Sequence, residues 1–239
     1  MPPRLHVPLP LIEGDLLLLP EGAVRHVQVL RLQPGMPVTL FNGEGGEWLA
    51  EIVEMGRKQA SVRIGPHSGV DRELPLAVTL ALGMPANDRM DALVEKATEL
   101  GVAAIQPLVC ERSVLRLAGE RAERRREHWQ GIATAAAEQS GRTRVPAIAP
   151  VQELPRWLAV QRDAASARWL LGFAPDAQPL AAVALPEAAV TVLSGPEGGL
   201  SPAEEAAARD AGFQMLSLGP RVLRADTAPL AVLASLGLR

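Results

Sequence analysis

AVTVLSGPEGGLSPAEEAAARDAG, residues 189–212, reads as a strand, a glycine-bearing loop and a helix in immediate succession. Ala189 to Leu193 is a short apolar run of strand length. Ser194-Gly195-Pro196-Glu197-Gly198-Gly199 follows as the loop. Ser201 then takes the N-cap position, Pro202 the first helical position, and Glu204 stands three beyond the cap. That spacing is a capping box, in which cap and third residue satisfy each other's backbone N–H groups. The helix is expected to run to Ala211. A loop at the carboxyl end of a parallel strand is the usual ligand position in α/β proteins. Glycines there let backbone N–H and C=O groups approach a ligand closely.

The same order recurs at once. Phe213 to Leu218 reads as a strand, LGPRVLRADTA (residues 218–228) as a loop, and Thr227 to Leu236 as a closing helix. Two ordinary βα turns with helix caps would have this spacing too; the charge beside glycine in both favours ligand loops. Upstream, Leu76 to Leu82, Ala104 to Val109 and Trp169 to Phe173 read as strands. Asp88 to Leu100 reads as a helix with Asp88 as N-cap and Gly101 as its stop, and Leu117 to Gln139 as a long helix with a charged face. Strands alternating with helices predict a mostly parallel α/β sheet. Residues 1–70 have another texture. Val38–Phe41, Trp48–Val53 and Ala60–Ile64 read as strands, with turn signals at Asn42-Gly43, Gly45-Gly46 and Gly65-Pro66, and one short helix between Glu21 and Leu32. Short strands with little helix predict a small β-barrel. The expected division is therefore residues 1–70 and 71–239.

Composition narrows the class. With 239 residues, 48% hydrophobic and 21% charged, the chain has material for a sizeable core, so a disordered chain is excluded. No uninterrupted apolar run reaches membrane-spanning length, and the N-terminus does not read as a signal peptide, so no membrane association is expected. Cys110 is the only cysteine, which excludes an internal disulfide and fits a reducing cytoplasm. With four dispersed histidines (His6, His26, His67 and His128), no metal site is expected. Neither GxGxxG after an early strand nor a P-loop occurs. Net charge is −3, so bulk electrostatics does not announce a nucleic-acid binder.

Of the 24 basic residues, only Lys58 and Lys96 are lysine. Arginine suits planar, bidentate contacts to phosphate. The long helix carries Arg121, Arg124, Arg125 and Arg126 among Glu120, Glu123 and Glu127, the pattern of a salt-bridged solvent face. Arg112, Arg142 and Arg144 lie at element ends and are better phosphate candidates. In the first region Arg4, Arg25 and Arg31 lie near His6 and His26.

SGPEGGLS (194–201) together with LGPRVLRADTA (218–228) resembles the RsmE family of 16S ribosomal RNA uridine-N3 methyltransferases, within the SPOUT superfamily. NDRMDALVEKATELGV (87–102), ERSV (111–114), AEQSGR (137–142) and VLR (29–31) after His26 agree in the expected order. The resemblance implies an N-terminal PUA-like β-barrel that binds RNA, followed by a SPOUT α/β methyltransferase domain with a C-terminal trefoil knot. It implies a homodimer, S-adenosylmethionine as cofactor, and 16S ribosomal RNA in the small subunit as partner. Asp226 is a small departure, where many relatives carry Glu.

On that reading the cofactor contacts are Leu171 and Gly172, then Ser194, Gly195, Pro196, Glu197, Gly198 and Gly199, then Leu218, Gly219, Arg221, Leu223 and Thr227. RNA contacts are Arg4, Arg25, Arg31, Arg112, Arg142 and Arg144. N3 of uridine is a poor nucleophile until its proton leaves, and negative charge then spreads to the carbonyl oxygens. A cation aimed there stabilises the transition state. Arg224 is the first candidate, with Arg112 or Arg142 as alternatives, and Asp226, Glu197, Glu138 or solvent can take the proton. A SPOUT enzyme acting on transfer RNA or ribose, and an inactive RNA-binding factor, remain the alternatives.

Overall fold

The computed structural model describes residues 2–86, 89–161 and 166–238. They form two compact units, Met1–Glu73 with Ala137–Val145, and Leu74–Ala136 with Pro146–Arg239. The first junction lies close to the expected boundary at residue 70. The return of residues 137–145 to the first unit was not expected, and side chains explain it. A carboxylate oxygen of Glu138 accepts the His6 backbone N–H at 2.8 Å, and the other stands 3.2 Å from His26 Nδ1. Arg142 pairs with Glu73, and its carbonyl accepts from Arg4 at 2.9 Å.

The first unit contains β1 (Arg4–His6), β2 (Leu16–Leu18), α1 (Glu21–Val29), β3 (Pro37–Phe41), β4 (Glu47–Met55) and β5 (Ala60–Ser68). They make one sheet in the order β1-β3-β4-β5-β2. Inward residues of alternating strands, among them Leu5, Val38, Leu40, Ile52, Val62 and Ile64, meet Val24 and Val27 of α1 in one core. β1 and β2 are three residues each, too short for alternation to reveal them. β5 runs past Gly65-Pro66, where a stop was expected. A register shift between Trp48 and Ala50 on β4 accommodates the residue that lacks an N–H.

The second unit contains β6 (Ala77–Gly83), α2 (Arg89–Glu99), β7 (Ala104–Val109), α3 (Gly119–Ser140, its last turn belonging to the first unit), β8 (Ala147–Ile148), β9 (Gln152–Glu153) and α4 (Leu154–Ala159). β10 (Ala167–Leu171), β11 (Gln178–Pro179), β12 (Ala189–Ser194), α5 (Pro202–Asp210), β13 (Gln214–Ser217) and α6 (Thr227–Gly237) complete it. The sheet order is β11-β13-β10-β12-β6-β7-β8, with β9 also on β7, and every pairing is parallel. The predicted α/β sheet is therefore present.

Helix ends follow the sequence signals. Ser201 and Glu204 form the predicted capping box. α2 closes with Gly101 at φ +92°, Val102 N–H bonding Ala97 and Gly101 N–H bonding Thr98. The expected Asp88 cap lies outside the described residues. α3 docks on α2 through Asp91, which accepts from Trp129 Nε1 at 2.9 Å and stands 2.8 Å from His128 Nε2. Its outer face pairs with itself, Arg124 with Glu120 and Arg126 with Glu123. No described helix is long and apolar enough to cross a membrane.

α1 ends by the same hydrogen-bond pattern as α2, with Leu32 N–H on Val27 and Arg31 N–H on Gln28. Here the left-handed position is held by Arg31, at φ +54°, rather than by glycine. It is the one such non-glycine residue described, and the left-handed backbone costs an L-residue about 1–2 kcal/mol in strain.

Glu47 ties the first unit together, pairing with Arg4 and, at 3.1 Å, with Arg72. Burial works against its carboxylate, but hydrogen bonds from Arg72 and Arg4 outweigh that, and its pKa falls below the usual value. The stability it supplies is complete above the unfolded carboxylate pKa of about 4.3 and is lost as pH falls through the lower, folded value. Glu47→Gln is expected to cost about 1–3 kcal/mol at pH 7, with the gap to the parent narrowing below pH 4.5. Urea unfolding from pH 7 to pH 3 measures both.

Candidate functional site

Because β6, β12, β10 and β13 are parallel neighbours, the chain leaves all of them at one edge of the sheet. The segments that emerge there enclose a cavity of roughly 520 Å³, within the range of small-molecule sites. Leu171, Gly172 and Phe173 enter it from the end of β10, and Ser194 to Glu197 with Gly199 and Leu200 from the end of β12. Leu218 and Arg221 to Ala225 close it from the end of β13. Both glycine loops singled out by spacing thus face the same space.

Several glycines are dictated by what surrounds them. A Cβ on Gly83, the last residue of β6, would stand 2.5 Å from Pro196 Cδ and 3.0 Å from Cys110 Sγ. A Cβ on Gly195 would meet the Leu200 amide nitrogen at 2.9 Å. Gly199 and Gly219 have open space around them, and their constraint is conformational, φ +67° and +99°.

Side chains then fix the first loop. Glu197 accepts the Ala86 N–H at 2.9 Å and lies 3.3 Å from Arg89 Nη1, which ties it to the entry of α2. Arg112 Nη1 donates to the carbonyls of Gly198 at 3.0 Å and Leu200 at 3.2 Å. Buried Glu204 accepts from the N–H groups of Glu111 at 2.8 Å and Ser201 at 2.9 Å. Burial, and then the Glu204 carboxylate, push the Cys110 thiol up to about 12, so it stays protonated and non-nucleophilic.

In the second loop the exposed Arg224 lines the cavity, and its carbonyl caps α6 by accepting from Thr227 and Ala228 at 3.0 Å. Asp226 occupies the N-cap position of α6 without a side-chain cap bond. Its Oδ1 is buried with no hydrogen-bond partner. Such an atom is uncommon and signals a missing partner.

Of the residues expected at a cofactor, Gly198, Gly219 and Thr227 do not line the cavity, while the others do. Gly198 packs on Arg112, and the Gly219 N–H bonds Ser217 Oγ at 3.2 Å. Sequence reasoning missed Gly83, Arg89, Phe173, Glu205 and Val222. Glu205 carried a signal, an acid in the first turn after a glycine loop; the others had none.

The expected phosphate contacts divide. Arg25, Arg31 and Arg144 are exposed, Arg25 beside Glu21. Arg4 and Arg142 are corrections. Arg142 is 4% exposed and held by both oxygens of Glu73, and Arg4 is 10% exposed, pairs with Glu47 and lies over the Phe41 ring. A guanidinium buried on a carboxylate is not offered to phosphate. Arg112, too, has one nitrogen committed to the loop carbonyls.

A family model described as an RNA methyltransferase domain matches residues 72–237, and one described as an RNA methyltransferase PUA domain matches residues 19–65. The chain is 31% identical over 216 residues to the ribosomal RNA small subunit methyltransferase E of Bacillus subtilis, covering 88% of this chain and 84% of that one. It is 35% identical to the Synechocystis protein of that name, over 87% of this chain and 68% of that one. The chain belongs to the ribosomal RNA small subunit methyltransferase E family. Its structure matches the Neisseria gonorrhoeae member bound to S-adenosyl methionine with a TM-score of 0.93 at 38% identity, over 99% and 97% of the two chains. A Legionella pneumophila protein solved with the cofactor SAM gives 0.94 at 34% identity, over 100% and 98%.

The cavity suits the ligand seen in those family members. Leu171, Leu218 and Leu223 give the cavity apolar walls, and its glycines leave main-chain groups open to it. Glu197, paired with Arg89, and Glu205 bring carboxylates to its lining. The design depends on the bare Cα of Gly83. Gly83→Ala is expected to force Pro196 and its loop outward and to cost about 1–3 kcal/mol, read as a lower denaturant midpoint at unchanged slope.

Proposed function

We propose that the chain transfers a methyl group from S-adenosylmethionine to N3 of a uridine in 16S ribosomal RNA of the small subunit. The observation that carries this reading is the cavity in which the loops after β10, β12 and β13 converge, in a member of this family. The cofactor supplies a methyl group on a sulfonium, ready for in-line displacement. Leu171, Gly172, the 194–199 loop, Leu218 and Leu223 hold it. The chain's own catalytic task is to bring an imide nitrogen into line and help its proton leave.

Arg224 is permanently charged and lines the cavity, so it stabilises the charge that develops on the uracil carbonyl oxygens. Asp226, two residues away, does not itself line the cavity, and its buried, partnerless Oδ1 orients Arg224 or accepts the N3 proton. Glu197 is engaged by Ala86 and Arg89, and Glu138 belongs to the first unit, where it accepts from His6. Of the three, Asp226 has the buried carboxylate oxygen without a hydrogen-bond partner among the described residues.

The finer architecture belongs to the same proposal. The first unit's sheet wraps as a PUA-like barrel that binds RNA. The C-terminus threads a trefoil knot, supported by α6, which packs on α2 and β12 although it follows β13 on the far side of β10. A homodimer is supported by exposed Phe173 and Val222 beside the cavity, apolar surface that a second copy covers. The ribosomal substrate places the reaction in the cytoplasm.

Mapping base methylation after incubation with undermethylated small subunits tests the reading. The parent chain is expected to modify one uridine at N3, and modification of transfer RNA or ribose instead would overturn it. Arg224→Ala is expected to lower kcat by about 10²–10³ with cofactor affinity little changed. Asp226→Asn should fall similarly and recover in part as pH rises, because solvent then deprotonates more uridine.

Arg31 offers a separate test of RNA binding. Its side chain is exposed, and its left-handed backbone suits glycine better. Arg31→Gly is expected to leave stability unchanged or raise it by up to about 1 kcal/mol, while weakening RNA binding and making its salt dependence shallower by about one contact. Filter binding across salt concentrations and urea unfolding together read the two effects.

A further inference from the structure

β6 lies between β12 and β7 in the sheet and ends at Gly83. With no side chain on Gly83, the loops after β12 and β7 close over it, Pro196 from one side and Cys110 from the other. The loop after β7 then donates hydrogen bonds to the segment after β12 at three acceptors. Residues 198 and 200 accept from Arg112, and Glu204 accepts from Glu111.

The Arg112 contacts have a specific geometric effect. A peptide unit is planar and trans, so fixing the direction of its carbonyl fixes its N–H in the opposite direction. Arg112 holds the carbonyl of the 198–199 peptide, whose N–H, on Gly199, bonds Pro196 O at 2.8 Å. It also holds the carbonyl of the 200–201 peptide, whose N–H, on Ser201, bonds Glu204 at 2.9 Å. Each of these peptide planes is therefore anchored at both ends. Gly199 stands between them at φ +67°, and glycine populates either sign of φ, so without an anchor this is where the loop flips. The Arg112 side chain lies flat along the loop, its Cβ 3.1 Å from where a Gly198 Cβ would stand.

We infer that Arg112 is a positioning residue of the cofactor loop, holding the 198–199 and 200–201 peptides in the orientation that receives S-adenosylmethionine. It acts through the backbone of Gly198 and Leu200 and does not enter the cavity. The inference rests on the proposed function for the identity of the ligand. It assigns Arg112 to the cofactor side of the reaction, where its type and position in the sequence had suggested RNA phosphate.

The test uses the full chain and S-adenosylmethionine alone, titrated by calorimetry without RNA. A hydrogen bond from a charged group, lost at two carbonyls, is expected to raise the dissociation constant of R112A about ten- to a hundredfold. In turnover, KM for the cofactor should rise while kcat at saturating cofactor changes less than about threefold, because Arg112 touches neither reacting atom. RNA affinity and its salt slope should match the parent's. Unchanged cofactor affinity in R112A, or a loss confined to RNA binding with a shallower salt slope, would overturn the inference. Should R112A fail to fold, R112Q keeps length and a neutral donor and carries the same readouts. A parent chain that does not bind S-adenosylmethionine at all would overturn the proposed function as well, whereas parent-like binding by the variant overturns this inference alone.

Discussion

Pro196 comes down on the last residue of β6 so closely that a Cβ on Gly83 would stand 2.6 Å from its backbone nitrogen. The contact is possible only because β12 is inserted beside β6 in a fully parallel sheet, so that both strands end at the same edge. It sets the height at which the first glycine loop leaves the sheet. From that height Glu197 reaches Ala86, Arg112 reaches the loop carbonyls, and the loop forms one wall of the cavity. The opposite wall depends on Gly219 and on the Arg224 carbonyl that caps α6. The first loop is held by directed bonds to its backbone and by Leu200, which is buried in the core beneath it.

The arginines show how one residue type serves separate ends. Arg4 and Arg142 satisfy carboxylates and carbonyls inside the first unit, where a forked donor can meet several acceptors in fixed geometry. Arg112 uses a single nitrogen on two carbonyls. Along α3 the charges pair within the helix at spacings of three and four, contributing a few tenths of a kcal/mol each, roughly. Arg31, Arg144, Arg221 and Arg224 keep exposed side chains. Burial and partner, rather than local charge density, separate these roles.

Much of this was legible in the sequence where the signal is local. The capping box at Ser201, the Gly101 stop, the long charged helix and the two strand–glycine loops each depend on residues a few positions apart, and each stands where the spacing put it. The long-range features were not legible. Nothing near Gly83 in the chain announces Pro196, more than a hundred positions away, and nothing near Arg142 announces Glu73. The short strands β1, β2, β8, β9 and β11 are defined by their neighbours rather than by their own alternation. Arg4 and Arg142 looked like phosphate ligands because charge at an element end is visible in sequence, while the carboxylate that neutralises it is not.

The late position of β12 in the chain has a consequence for how the molecule is made. Its strand, residues 189–194, lies between β6 and β10, both of which are synthesised earlier. Until β12 arrives the parallel sheet has an open slot, and neither neighbour can zip to the other without blocking it. Non-local parallel pairing of this kind is slow, because loop closure must precede the contacts that reward it. The cavity is the last part to exist, since its walls hang on β12 and β13. An incompletely folded chain therefore presents a partial sheet but no ligand pocket, and ligand occupancy becomes a direct readout of maturation.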